Sequence, residues 1–130
     1  MRALETLPGL RVVATPEALD AASWGEKSSV LRFAPDDAFV TGASQADMAS
    51  QLADEHAIVE PETGFVGIWL TEDELRDLVL PHVEWPLPAP RPALAQGLIA
   101  GVPAKLWLVD DRARLLCAAA HARELTERLG

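Results

Sequence analysis

Residues 63–81, T-G-F-V-G-I-W-L-T-E-D-E-L-R-D-L-V-L-P, constrain the fold most, because a buried strand passes directly into a helix there. The apolar run at 65–70 does not alternate with polar residues, as is typical of a central strand covered on both faces. Thr71 and Glu74 complete the capping box T-x-x-E, which predicts that a helix begins after Thr71. Pro81 predicts where that helix ends. This stretch predicts a strand followed by a helix, and it does not indicate a catalytic or binding activity.

Length and composition indicate a single domain over residues 1–130, since a hydrophobic content of 49% is enough for a packed core. Acidic residues outnumber basic ones by 20 to 11, which gives a formal net charge of −9. Such a surface repels phosphate groups, so we expect neither nucleic acid nor an anionic membrane as a partner. No apolar run approaches the roughly 20 residues of a bilayer span, and one cysteine fits a reducing compartment. We therefore expect a cytoplasmic protein.

The remaining elements predict an α+β fold, a mainly antiparallel sheet with helices packed on it. Strand patterns occur at 11–14, 29–34, 38–41, 57–59, 94–100, 105–109 and 114–118. Helices are predicted from the caps Thr15 and Ser44 and over residues 119–129. Residues 31–44 and 106–119 share the order strand, double-aspartate turn, strand and helix. This similarity predicts pseudo-duplicated units.

A proline occupies every second position from 86 to 92, which predicts an extended, polyproline-like segment. One interpretation is a ligand for an SH3-like partner. The other is a stiff crossover that packs on its own domain, and it is favoured by Trp85 and Leu87, which have the character of core anchors.

Four tryptophans are many for a chain of this length that lacks tyrosine. Trp69 and Trp107 lie in predicted strands, so we expect them in the core. Trp24 and Trp85 lie in predicted loops, where an exposed indole often anchors a partner. We predict both as partner-interface residues, with core packing as the alternative.

No catalytic, cofactor-binding or metal-binding residue is predicted. The chain has no phosphate loop and no G-x-S-x-G elbow, and its three histidines are dispersed. Cys117 and His121 are spaced i,i+4, so an enzyme that uses the Cys117 thiol is one hypothesis. Its apolar surroundings favour the alternative, a buried inert thiol.

The order of elements resembles the gamma subunit of heterotetrameric sarcosine oxidase. The similarity runs from P-D-D-A-F-V-T-G through a helix to E-T-G-F-V-G-I-W-L and E-L-R-D-L-V-L. It continues through A-Q-G-L-I-A-G-V-P-A-K-L-W-L-V-D-D to the closing helix. It covers the chain from about residue 28 and depends on pattern and order.

The resemblance implies a fold akin to the folate-binding aminomethyltransferase domain. It also implies a subunit without catalytic residues that docks on larger flavoprotein subunits, in a complex that oxidatively demethylates sarcosine. FAD, FMN, NAD and tetrahydrofolate are implied for that partner complex, and none for this chain alone.

Two functions follow as expectations. The first is a non-catalytic accessory subunit that assists assembly or stabilisation and that forms homo-oligomers when isolated. The alternative is a stand-alone module that binds a small, folate-like ligand. Because the chain is acidic, an anionic ligand would require a basic pocket. Four bases are available for such a pocket: Arg91, Lys105, Arg112 and Arg114.

Overall fold

The computed structural model describes residues 1–130 and shows an α+β protein with antiparallel strands, as predicted. The chain separates into two compact units. The large unit comprises Met1–Leu7 and Gly64–Gly130, and the small unit comprises Pro8–Thr63. Each unit has its own sheet, so the expectation of one main sheet is wrong. A single domain over 1–130 stays a prediction.

Nine strands follow one another along the chain: β1 Glu5–Thr6, β2 Gly9–Val13, β3 Ser29–Ala34, β4 Asp37–Thr41, β5 Ile58–Glu62, β6 Phe65–Thr71, β7 Ala93–Ile99, β8 Val102–Leu108 and β9 Arg112–Ala118. Four α-helices accompany them: α1 Pro16–Ala21, α2 Gln45–Gln51, α3 Glu72–Glu74 and α4 Ala122–Leu129. A π-helix spans Leu75–Val79, and short 3-10 helices span Leu80–His82 and Ala119–His121. None of these helices has the length and apolar character needed to span a membrane.

The sheet of the small unit has the order β3-β4-β2-β5. The predicted hairpin is confirmed, since β3 and β4 pair antiparallel across a tight turn. Both predicted caps are confirmed as well. The Thr15 hydroxyl accepts a hydrogen bond from the Ala18 amide at 3.2 Å, and the Ser44 hydroxyl accepts one from the Asp47 amide at 3.1 Å. These caps satisfy amides that the first helical turn leaves unpaired.

β5 includes a proline, since the strand continues through Pro61 to Glu62. β5 is an edge strand, and a proline without an N–H group is tolerated there. In α2, Met48 is buried in the core of the small unit, while the neighbouring Ala49 is exposed.

The sheet of the large unit has the order β1-β6-β9-β8-β7. One face of this sheet, the inner face, carries fully buried leucines such as Leu70, Leu106 and Leu115. Leu75 from the π-helix and Leu125 from α4 belong to the same buried cluster. Each such leucine stabilises the fold by roughly 1.5–3 kcal/mol through burial. The opposite face is called the outer face below.

The helical segment after β6 begins as predicted, with a complete capping box at Thr71 and Glu74. It does not continue as an α-helix to Pro81, however. It changes to a π-helix, and Pro81 lies inside the 3-10 helix Leu80–His82. Proline has no N–H group to donate, but the first turn of a new helical segment does not require one.

The closing helix is shorter than predicted, since residues 119–121 are a 3-10 turn and α4 begins at Ala122. Glu124 and Arg128, spaced i,i+4 in α4, form an ion pair at 2.5 Å. The two similar segments each form a hairpin, β3–β4 and β8–β9, with a helix after it. Their duplication stays a prediction.

Candidate interaction surface

Three large side chains form a row across the outer face of the large unit's sheet. The strand register places Trp69 of β6 opposite Arg114 of β9, and Arg114 opposite Trp107 of β8. All three are half-buried and lie outside the buried core cluster. The expectation that Trp69 and Trp107 are core residues is therefore wrong. The sequence did carry a sign of this for Trp107. Lys105 lies two residues before it in the same strand, residues two apart in a strand share a face, and a lysine indicates a face that solvent reaches.

Two guanidinium groups lie over the ring of Trp69. The Cζ atom of Arg112 is 3.8 Å from the ring centroid, and that of Arg114 is 4.6 Å away. Both distances are well within the range of cation–π attraction. A guanidinium stacked on an indole still has in-plane N–H groups for a further partner.

Arg112 and Arg114 differ from every other arginine in the chain, because neither has a carboxylate within ion-pair distance. The others all form ion pairs with Asp or Glu: Arg2, Arg11, Arg32, Arg76, Arg91, Arg123 and Arg128. Burial, and then the charge of Arg112, lower the pKa of Arg114 below its usual value. Strands β6 to β9 contain no Asp or Glu. The other strand of this sheet, β1, contributes one carboxylate, Glu5, opposite Gly67. With three bases against this one carboxylate, the outer face is locally basic in an acidic protein.

Two recesses border Trp69. One, of about 480 Å³, is lined by Glu5, Leu7, Trp69 and Arg114 among others. The other, of about 550 Å³, lies beside Arg112. Arg2 lines both recesses and donates a hydrogen bond to the Trp69 carbonyl oxygen at 2.8 Å.

Three carboxylates line these recesses. Asp111 and Glu74 line the recess beside Arg112, and Glu5 lines the one beside Arg114. Glu74 forms its ion pair with Arg2, and none of the three pairs with Arg112 or Arg114. The guanidinium groups therefore remain available to a carboxylate from another molecule.

The four bases proposed for a basic pocket do not all come together. Arg112 and Arg114 share Trp69, and Lys105 lies on the same face, where its Nζ donates to Gln96 at 3.0 Å. Arg91 is elsewhere: it forms an ion pair with Glu72 and donates to the Val109 carbonyl oxygen at 2.7 Å. Neither recess beside Trp69 is lined by Arg91 or Lys105, so neither brings all four bases together.

Trp85 packs against the core of the large unit, partly buried, and its Nε1 donates a hydrogen bond to the Leu98 carbonyl oxygen. Leu87 packs against the same core. The structure therefore agrees with the interpretation of residues 82–92 as a crossover that packs on its own unit. Trp24 is half-buried against the core of the small unit and lines a recess of about 450 Å³. A partner-interface role for Trp24 and Trp85 stays a prediction.

The Cys117 thiol lies in the core of the large unit with 2% of its surface exposed. Burial raises its pKa above the ordinary value, which disfavours the thiolate that a nucleophile requires. No hydrogen bond joins Cys117 to His121. No group of three His, Cys, Asp or Glu side chains is placed to hold a metal ion.

The chain matches no protein-family model and no curated protein sequence. Among solved structures, it is similar to a chain of heterotetrameric sarcosine oxidase from Corynebacterium sp. U-96, determined in complex with pyrrole 2-carboxylate. The TM-score is 0.73, and the similarity covers 97% of this chain and 80% of that chain at 16% sequence identity. This likeness shows a common fold and confirms the resemblance at the level of fold. The assignment to the gamma subunit in particular stays a prediction.

Proposed function

We propose that this protein is a non-catalytic accessory subunit of a flavin- and folate-dependent complex of the sarcosine oxidase kind, and that it acts in assembly or stabilisation. The observation that carries the proposal is the common fold, over 97% of this chain, with one chain of a heterotetrameric oxidase. Its partners in this proposal are the larger flavoprotein subunits. The buried Cys117, the only cysteine, suits the reducing cytoplasm that we assign to the complex.

In this proposal FAD, FMN, NAD and tetrahydrofolate are bound by the partner subunits. This chain has no glycine-rich phosphate loop that could hold a dinucleotide. The thiol of Cys117 is buried and has a raised pKa, so it does not supply a nucleophile. The residues support a contribution through surfaces, with the chemistry carried out elsewhere in the complex.

The test is native mass spectrometry of the tagged protein purified from its own cells, together with an absorbance scan for flavin. We expect co-purification with a large yellow subunit. A colourless preparation without a partner would overturn the proposal. When the chain is produced alone, we expect self-association, because a surface that normally contacts a partner is then exposed.

The stand-alone ligand module is a second candidate, favoured by the two guanidinium groups on Trp69 beside a recess of about 480 Å³. Recesses of this size accommodate small ligands, and a carboxylic acid in the recess could pair with the guanidinium group of Arg114 beside the indole. The test is titration of the isolated protein with folinic acid, followed by tryptophan fluorescence and calorimetry. Saturable quenching with measurable heat would support a ligand module, and the absence of both would exclude a folate-like ligand.

A further inference from the structure

We infer that the outer face around Trp69, Arg112, Arg114 and Trp107, called the arginine–tryptophan face, binds an acidic segment of the larger partner subunit. This inference rests on the proposed function, because it names the surface and the chemistry by which the accessory subunit would dock. The occupant to which it commits is a protein segment that carries carboxylates next to apolar side chains.

The first argument is the orientation of the two guanidinium groups. Arg112 and Arg114 both lie over Trp69, at 3.8 and 4.6 Å from the ring centroid. Stacking restricts their rotamers before any partner arrives, so less side-chain entropy is lost on binding. Each group can then form a bidentate pair with a carboxylate, the geometry in which arginine binds most strongly.

The second argument is charge. The chain has 20 acidic residues, yet none forms an ion pair with Arg112 or Arg114, whereas every other arginine has such a pair. Arg114 is half-buried beside a like charge, which is unfavourable without a counter-charge. A partner carboxylate would offset both the burial and the repulsion. A locally basic face on a chain of net charge −9 is complementary to an acidic partner.

The third argument is the extent of the apolar surface, which favours a protein segment over a small anion. The row from Trp69 continues through Arg114 and Trp107 to Leu94 on β7. Four adjacent strands at about 4.8 Å spacing span roughly 14 Å, which is longer than a single small carboxylate. Leu98 lies four residues further along β7, beyond Gln96 on the same face, and is 56% exposed. Tryptophan and arginine are also the residues most enriched at binding hot spots.

The experiment compares the wild-type protein with the double variant Arg112→Gln/Arg114→Gln in binding to the co-purified larger subunit. We expect the dissociation constant to rise by about tenfold or more, since charge-assisted hydrogen bonds to carboxylates are lost. The wild-type affinity should fall with added salt, and that of the double variant should respond less.

The matched control is Arg76→Gln/Arg123→Gln. It removes the same charge from two arginines that are exposed and ion-paired elsewhere in the large unit. We expect its affinity to stay within about threefold of the wild-type value. Thermal unfolding of each variant establishes that it is folded. If the double variant does not fold, the single variant Arg112→Gln replaces it, because Arg112 is exposed.

The outcomes separate the two proposals. If the wild type binds the larger subunit and the double variant binds as tightly as the control, the docking surface is wrong and the proposed function stands. If the wild type has no protein partner, both are wrong. If the wild type carries a small anion on this face while subunit binding is unaffected by the double variant, the occupant is a ligand and the docking inference fails.

Discussion

The indole Nε1 of Trp85 donates a hydrogen bond to the Leu98 carbonyl oxygen at 2.8 Å. Leu98 belongs to β7, an edge strand of the five-stranded sheet. Beside it, the amide of Ala100 donates to the His82 carbonyl oxygen at 3.1 Å. The proline-rich crossover thus pairs with main-chain groups that an open edge would offer to another chain. A stiff crossover that covers the edge of β7 accounts for the proline-rich sequence, and no SH3-like partner is required.

We predict that Gly97→Ala destabilises the large unit by about 1–3 kcal/mol and promotes association. A Cβ atom on Gly97 would lie 2.7 Å from Cε2 of Trp85, so the indole must move away from the edge. Trp85→Phe, which keeps a ring but loses the donor, should cost about 1 kcal/mol. Urea unfolding and size-exclusion chromatography provide the two measurements.

Leu98→Ala is the control for Gly97→Ala, because Leu98 lies on the same strand and its side chain is 56% exposed. We expect its unfolding free energy to change by less than about 0.5 kcal/mol. A Gly97→Ala protein as stable and as monodisperse as the control would contradict the assignment of edge protection to Trp85.

We predict that Thr71→Ala destabilises the large unit by about 1 kcal/mol. The Thr71 hydroxyl accepts from the Glu74 amide at 3.1 Å, and the Glu74 carboxylate accepts from the Thr71 amide at 3.1 Å. Thr71→Ser keeps the acceptor and should retain most of the stability. Thr63→Ala, at an exposed threonine outside any strand or helix, is the control in urea unfolding. Equal stability of the alanine and serine variants at position 71 would show that the cap contributes nothing.

The features that could be predicted from the sequence are those that depend on neighbouring residues. The capping box at Thr71 involves two residues three positions apart, and the caps at Thr15 and Ser44 are equally local. The turn between β3 and β4 is local in the same way. In each case the residues that determine the conformation lie within one short window, so residue type and spacing are sufficient.

The division into two sheets could not be predicted in this way, because it depends on distant pairings. β1 pairs with β6 across about 60 residues, and its two residues, Glu5 and Thr6, carry no strand pattern of their own. The π-helix at Leu75–Val79 also depends on how the segment packs before Pro81. The helix and strand propensities of the residues do not determine distant strand pairing or a change from α-helix to π-helix.

The arginine–tryptophan face was predictable only in part. Arg112 and Arg114 are two apart in β9 and therefore share a side, but the strand pattern in the sequence begins only at 114 and leaves Arg112 outside the predicted strand. That Trp69 lies beneath both requires the register of β6 against β9, which is a tertiary property. Trp69 was expected in the core because β6 is apolar throughout, and an apolar run does not reveal which side is half-exposed.

We predict that Cys117 reacts with a disulfide reagent at least about a hundredfold more slowly in the native protein than after unfolding. The thiol is 2% exposed, and burial raises its pKa, so the reactive thiolate is scarce at neutral pH. The measurement is the release of thionitrobenzoate with and without urea, with one thiol per unfolded chain as the end point. Rapid native reaction would restore the hypothesis of a thiol enzyme.

The stability of the small unit should depend on the ionisation of Asp54. One carboxylate oxygen accepts from the Thr15 amide and the other from the His56 amide, both at 2.9 Å. These backbone bonds, that from Thr15 first, lower the pKa of Asp54 below its usual value. A lowered folded-state pKa means that the stabilisation is fully present above the unfolded pKa of about 3.9, and is lost as the pH falls through the folded value.

We therefore expect Asp54→Asn to lower the urea midpoint at neutral pH, and the difference from the wild type to narrow as the pH falls below about 4. Glu55→Gln is the matched control, because Glu55 is the adjacent carboxylate and its ion pair is with His56, both side chains being exposed. Its midpoint should follow the wild-type pH dependence. If Asp54→Asn and Glu55→Gln gave parallel curves from about pH 7 to pH 3, the two amide bonds to Asp54 would not contribute to folding.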